Sequence, residues 1–272
     1  MNCHSIYPTV LVTGGSGLVG QALQSLQKNY YFHFVYLNSQ DADLRSYEET
    51  LTCFQKYNVE FVIHLAAKVG GLYQNRKNQV EMLDDNLLIN QNVLKVCHYL
   101  GIRKVVCCLS TCIFPDSIEY PINESKLHLG PPHHSNFGYS YAKRMLEVQC
   151  RAYQENFGRD YICVIPTNIY GENDNFSLEK GHVIPSLIHR CYLSQKKKIP
   201  WVIKGTGKAR RQFIYARDLA RLLIWSLEGY RDREPLILSG GQDTEISIRE
   251  VVDKIRESFK FEGEIKWDAT YS

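Results

Sequence analysis

Short apolar runs alternate along the chain with longer stretches in which apolar residues return every three or four positions. Val10–Val12, Phe32–Leu37, Phe61–Leu65 and Lys104–Leu109 have the length and content of strands. The amphipathic segments Leu18–Lys28, Tyr47–Tyr57, Val80–Leu100 and Tyr139–Phe157 follow them in turn and read as helices. In Val80–Leu100, the residues Met82, Leu83, Leu87, Val93, Leu94, Cys97 and Leu100 describe one buried helical face. Gly101 ends that helix and Gly158 the next, because glycine tolerates the left-handed backbone of a helix C-terminus. Tyr161–Ile165 is a further buried strand, closed by Pro166. This β-α-β-α rhythm predicts an α/β fold whose doubly wound parallel sheet carries helices on both faces.

Beyond Gly171 the rhythm loosens. Gly171-Glu172-Asn173-Asp174-Asn175 and the pair Gly205/Gly207 mark loops, and Lys196–Lys198 reads as an exposed charge run in a loop. Arg217–Gly229 and Leu236–Ser239 then return to helix followed by strand. The expected division is a larger domain of residues 1–170 and 213–241, with a second, smaller α/β domain of residues 171–212 and 242–272.

With 272 residues and 44% hydrophobic content, the chain can bury one substantial core plus a smaller one. A net charge of +3 lacks the clustered basicity of a nucleic-acid binder, yet suits a small anionic ligand. The nine cysteines, Cys3 to Cys191, are odd in number and have no C-x-x-C spacing, so neither a disulfide framework nor a metal site is expected. Met1–Thr9 lacks an apolar leader core, and no stretch approaches the roughly 18 to 20 apolar residues that cross a bilayer. The expected setting is the reducing cytoplasm, without membrane contact.

Thr13-Gly14-Gly15-Ser16-Gly17-Leu18-Val19-Gly20 occupies the first strand-to-helix turn, with glycines at G-x-x-G-x-x-G spacing. Such a turn needs positive φ, and a pyrophosphate reaches the amides at the start of the helix only where no Cβ intervenes. At the first βα turn of a doubly wound sheet, this pattern predicts a Rossmann-type dinucleotide site; a bare structural turn is the alternative. The residues ending the second strand, Leu37-Asn38-Ser39-Gln40, include no acid to accept from a ribose 2′-hydroxyl, which favours NADP over NAD. No Arg or Lys adjoins them, and Asp43 is expected to meet the adenine.

Tyr139 and Lys143 lie four apart at the start of a helix and so share a face. An ammonium beside the phenol is expected to lower the tyrosine pKa and make Tyr139 a proton donor and acceptor at a carbonyl. Ser110 lies just past the fourth strand, at the sheet edge where ligands bind, and should join them on one carbonyl oxygen. A surface Tyr and Lys on an amphipathic helix is the competing reading. His64, within a strand, is expected in the core. The adjacent His133 and His134 point different ways and make a poor metal site.

With these motifs the chain resembles the extended short-chain dehydrogenase/reductase family. LVTGGSGLVG (11–20), VIHLAAKVGGL (62–72), LSTCIFP (109–115), GPPHHSNFGYSYAKRM (130–145), PTNIYGENDNF (166–176), GHVIPSLIHR (181–190) and GTGKARRQFIY (205–215) carry the likeness over almost the whole chain. They are most similar to the members that epimerise C3 and C5 of a GDP-linked 4-keto-6-deoxy sugar and reduce C4 with NADPH. The resemblance implies Cys112 and His182 as the base and acid of epimerisation beside Ser110, Tyr139 and Lys143, and a thiol near His⁺ or a helix N-terminus would have a depressed pKa. It implies Gly14, Gly17, Leu18, Val19, Gly20, Asp43, Leu65, Ala66, Ala67, Lys143, Pro166, Asn168 and His182 at NADP(H), and Arg190, Lys204 and Arg211 at the substrate. Lys208 and Arg210 are candidate diphosphate partners or merely solvated neighbours.

Lys204 stands where the family usually has Trp, and the chain stops at Ser272 where members continue, so the resemblance implies an incomplete substrate domain. It also implies a homodimer through the helices Val80–Leu100 and Tyr139–Phe157, whose outer faces carry Ile89, Val96, Met145 and Val148. Two alternatives stay open: another nucleotide-sugar epimerase or dehydratase of the same family, and a catalytically impaired NADP-binding regulatory isoform.

Overall fold

The structure, a computed structural model, describes residues 6–70 and 72–271. Cys3 and most of the amino-terminal segment, like Gly71 of the 62–72 motif, lie outside the described residues. In chain order the elements are β1 (Thr9–Thr13), α1 (Leu18–Leu26), β2 (His33–Leu37), α2 (Tyr47–Gln55), β3 (Val59–His64), α3 (Leu72–Lys77), α4 (Gln79–Tyr99), β4 (Lys104–Cys108), α5 (Phe137–Phe157) and β5 (Asp160–Pro166). Then follow β6 (Asn168–Tyr170), α6 (Val183–Lys197), β7 (Trp201–Lys204), β8 (Arg210–Tyr215), α7 (Ala216–Glu228), β9 (Leu236–Leu238), β10 (Glu245–Ser247), α8 (Ile248–Phe259) and β11 (Ile265–Asp268).

Six strands form one sheet in the order β2-β1-β3-β4-β5-β9, every neighbouring pair parallel. From β1 the chain steps outward to β2, then returns to β3 on the other side. The loops after β1 and β3 therefore part and leave a crevice at the carboxyl edge, the usual ligand site of such sheets. Because helices cover both faces, the strands are apolar almost throughout rather than alternating. Neighbours in one strand serve opposite cores: Val105 packs with Phe54, Leu94, Leu146 and Tyr161 beneath α2, α4 and α5, while Val106 packs with Leu23, Ile63, Leu219 and Leu223 beneath α1 and α7.

β6, β8 and β10 make a small mixed sheet, and β7 pairs with β11 in parallel. α6 and α8 cover a third core of Leu187, Cys191, Trp201, Ile203, Val251, Val252 and Ile255. α8 is announced by a full capping box: Ser247 accepts from the Glu250 amide while the Glu250 carboxylate accepts from the Ser247 amide. The Ser-x-x-Glu spacing of residues 247–250 is the sequence signal of this helix start.

Two expectations need correcting. Lys196–Lys198 is not a loop: Lys196 and Lys197 form the last turn of α6, and Lys198 caps it with φ of 53°. Cations suit that end because the helix dipole is negative there. Val96 is not on an outer face either, being fully buried with Val93, Leu94 and Cys97, since that side of α4 faces the sheet. The eight described cysteines carry free thiols, and only Cys112 among them is not fully buried.

Candidate active site

The loop between β1 and α1 makes the tight turn of a dinucleotide site because its glycines let backbone approach backbone where a Cβ would collide. Gly14 has φ of +71°, and a Cβ there would lie 2.8 Å from the Ala66 amide. A Cβ on Gly20 would lie 2.4 Å from the Gly15 carbonyl, so α1 can seat against the loop only with glycine at both ends. Gly17 caps α1 with no side-chain hydrogen bond, which leaves the first amides of the helix, at Leu18 and Val19, to an anion. Across the crevice, the amides of Leu65 and Ala66 donate to Thr13 Oγ1 at 3.2 Å each, drawing the loop that continues to Ala67 against the glycine turn.

Asp43 lies past β2 with its carboxylate already engaged. Arg45 donates to it in a bidentate pair, with contacts of 2.9 and 2.7 Å, and holds it below the usual carboxylate range. Arg45 also reaches Asp85 at 3.4 Å, and Lys68 meets Asp85 at 2.9 Å and Glu81. A cation thus lies in the segment between β2 and α2, which the four neutral residues Leu37–Gln40 did not suggest. Of the other expected cofactor residues, Pro166 closes β5 and is buried, while the exposed Asn168 donates from its amide to the Gln212 carbonyl at 2.9 Å.

Ser110, Cys112, Tyr139 and Lys143 meet where β4 ends. Ser110 caps a 3-10 turn, Thr111–Ile113, its hydroxyl accepting from the Cys112 amide at 3.5 Å. Arg144 ties that turn to α5 by donating to the Ile113 and Gly130 carbonyls. Lys143, buried, donates from Nζ to the Cys108 carbonyl at 2.8 Å and lies 5.9 Å from the centre of the Tyr139 ring. Burial pulls the lysine pKa down, and neighbouring thiols, Cys108 first, oppose it.

The electrostatics of this cluster differ from expectation. Tyr139 is pushed well above its ordinary pKa by burial and by the thiols of Cys112 and Cys108, not lowered by Lys143, because the ammonium is spent on a carbonyl and faces the ring rather than the hydroxyl. Cys112 is likewise raised rather than depressed. Burial outweighs the Ser110 and Ser140 hydroxyls and the Lys143 charge, which act the other way. At neutral pH the site therefore presents a neutral phenol and a neutral thiol.

His182 caps α6 at some remove, and its partner is Asp174 rather than any member of that cluster. Nδ1 lies 3.6 Å from the largely buried Asp174 carboxylate, which raises the imidazole pKa. The loop can close this way because residue 181 is glycine: a Cβ there would strike the Asn175 and Ser177 carbonyls at 2.4 and 2.5 Å. Arg190 on α6 donates to the Leu178 carbonyl at 2.9 Å, and Arg211 on β8 to the Arg210 carbonyl at 2.7 Å. Arg210 pairs with Glu245 at 3.0 Å. Lys204 ends β7 opposite Asp268, whose pKa it helps to lower. These cations are divided among α6, β7 and β8.

Sequence reading passed over the polar face of α4. Asn86, fully buried, brackets residue 68, accepting from the Lys68 amide at 2.9 Å and donating to its carbonyl at 3.0 Å. Asn92 donates to the Leu44 carbonyl at 3.0 Å and so holds the loop that carries Asp43. The available signal was three asparagines, at 86, 90 and 92, interrupting the apolar face of a helix predicted to be buried.

The profile of the NAD dependent epimerase/dehydratase family matches residues 10–238. The GDP-L-fucose synthase of Dictyostelium discoideum is 50% identical over 96% of this chain and 83% of its own length. A probable GDP-L-fucose synthase of Drosophila melanogaster is 46% identical over 97% of this chain and 85% of its own. The crystal structure of a GDP-L-fucose synthetase from Naegleria fowleri bound to NADP superposes with a TM-score of 0.93 at 42% identity, covering 100% of this chain and 85% of that one.

Proposed function

The chain belongs to the NAD dependent epimerase/dehydratase family, and on that premise we propose that it catalyses the NADPH-dependent 3,5-epimerisation and 4-reduction of GDP-4-keto-6-deoxy-D-mannose to GDP-L-fucose. The observation that carries this reading is the meeting of Ser110, Cys112, Tyr139 and Lys143 at the end of β4, beside a glycine turn whose helix begins without a side-chain cap.

Gly14, Gly17, Leu18, Val19 and Gly20 hold the cofactor phosphates, Asp43 flanks the adenine, and Leu65, Ala66, Ala67, Pro166 and Asn168 line the remainder with Lys143 and His182. When bound, NADPH supplies the hydride that reduces C4. Protons at C3 and C5 are acidic because they flank the C4 ketone. Cys112 removes one as thiolate and His182 returns one from the opposite face as imidazolium, so each inversion is proton-neutral overall. In the reduction Ser110 and Tyr139 hydrogen-bond the C4 oxygen. Tyr139 then gives it a proton, a step suited by the raised pKa that keeps the phenol protonated. Lys143 ties α5 to the end of β4 through the Cys108 carbonyl and so holds Tyr139 in place. Arg190, Lys204 and Arg211 neutralise the substrate diphosphate.

The reading divides the chain into a cofactor part, 1–170 and 213–241, and a substrate part, 171–212 and 242–272. The protein acts in the cytoplasm as a homodimer joined through α4 and α5; among the described residues no helix is long and apolar enough to cross a membrane. Purified protein given the keto sugar should oxidise NADPH. Cys112→Ser should abolish solvent deuterium exchange at C3 and C5 while leaving NADPH binding intact. Unchanged exchange removes Cys112 from the mechanism, and NADPH binding without turnover in the wild-type protein removes the activity.

A further inference from the structure

One hydrogen-bond chain crosses the core beneath the site, and its direction is fixed at every link. Asn90 on α4 donates from Nδ2 to the Ala142 carbonyl of α5 at 3.4 Å, which leaves its Oδ1 facing His64 Nε2 at 3.1 Å. A carbonyl oxygen carries no proton, so Nε2 bears the hydrogen and Nδ1 is the acceptor. Thr13 Oγ1 donates to that Nδ1 at 2.8 Å and itself accepts from the Leu65 and Ala66 amides. Thr13, His64 and Asn90 are all fully buried.

The chain works only with neutral histidine. A second proton, on Nδ1, would face a hydroxyl oxygen whose two lone pairs already serve Leu65 and Ala66. Burial and the nearby Lys143 charge, acting together, push His64 down to about 3 and keep it neutral. A leucine at 64 would fill the same space but leave the buried Asn90 Oδ1 and the Thr13 hydroxyl hydrogen without these partners. What the imidazole adds is position. At one end the chain holds the two walls of the cofactor cradle, the glycine turn and the loop after β3. At the other it holds Ala142, the residue before Lys143 and one turn from Tyr139.

We propose that His64, acting through Asn90, is a positioning residue for the reduction, fixing α5 and hence Tyr139 and Lys143 at a set distance from the cofactor cradle. The kinetic part of the test rests on the activity proposed above. His64→Leu and Asn90→Leu should lower kcat for NADPH-dependent reduction of the keto sugar at least about tenfold, while the NADPH Kd from fluorescence titration moves less than about threefold. His64→Gln, whose amide can accept from Thr13 and donate to Asn90, should recover most of the loss. Wild-type kcat in folded Leu variants, a loss matched by equal weakening of NADPH, or no recovery with glutamine would overturn the proposal. Amide hydrogen exchange over residues 137–145 in the NADPH complex tests the tie without the sugar. It should quicken in Asn90→Leu, and an unchanged rate overturns the proposal even where failure of the wild-type turnover has already removed the activity.

Discussion

His182 draws its proton affinity from one carboxylate. Asp174 stabilises the imidazolium, so His182 remains an acid to higher pH than a free histidine. Cys112, raised by burial, becomes a base only at still higher pH. The species with thiolate and imidazolium is therefore a small, nearly constant fraction between the two pKa values. It falls on the acid side as thiolate is lost and on the alkaline side as imidazolium is lost. Asp174→Asn removes the interaction that raises His182 and lowers its pKa. Deuterium exchange at C3 and C5, followed against pH, should then show an acid limb moved to lower pH and a lower plateau. An unmoved acid limb would show that Asp174 does not set this proton. The residue types and spacing of Tyr139 and Lys143 were legible in sequence, but their pKa directions were not, because burial and the Cys108 carbonyl come from strands distant along the chain.

At the scale of elements, the strand-turn-helix of β1 and α1 depends most directly on residue identity. Gly14 combines a left-handed backbone with a Cβ position 2.8 Å from a backbone nitrogen that cannot swing aside as a side chain could. Alanine there adds about 1–2 kcal/mol of backbone strain before any clash. Because the clash displaces the turn from the geometry that seats the cofactor, Gly14→Ala should weaken NADPH by about tenfold, or 1.4 kcal/mol. Fluorescence titration against wild type, with circular dichroism to establish folding, checks this; equal affinity would mean that the turn does not seat the cofactor. The turn was readable because its signal is local. The same holds for α8, whose capping box lay in the sequence, whereas the charge run at Lys196–Lys198 misled because three lysines look alike in a loop and at a helix end.

Across the whole molecule, the outer faces of α4 and α5 keep large apolar side chains in contact with solvent. Leu88 is 44% exposed, Phe137 44%, Tyr141 40% and Met145 42%, on two helices that pack along each other at one side of the sheet. Among single chains such a grouping is a marker of association. Sedimentation should give a mass near twice that of one chain, and charged substitutions at Tyr141 and Met145 together should halve it. A monomeric wild-type protein refutes the dimer. Val96, expected on that face, is instead part of the core, since rotation of α4 about its axis follows from packing against β3, β4 and α5.

The sequence by itself determined the parallel α/β sheet, the glycine cradle and the Tyr139/Lys143 pair, since periodicity, backbone tolerance and helical spacing all act within a few residues. The tertiary structure alone decided that Tyr139 and Cys112 are held neutral, that Arg45 occupies the Asp43 carboxylate, that Asp174 governs His182, and that His64 is a link rather than filling. Each of these depends on a partner brought close only by the folded chain or on water excluded by it, and neither distance nor burial is encoded at any one position.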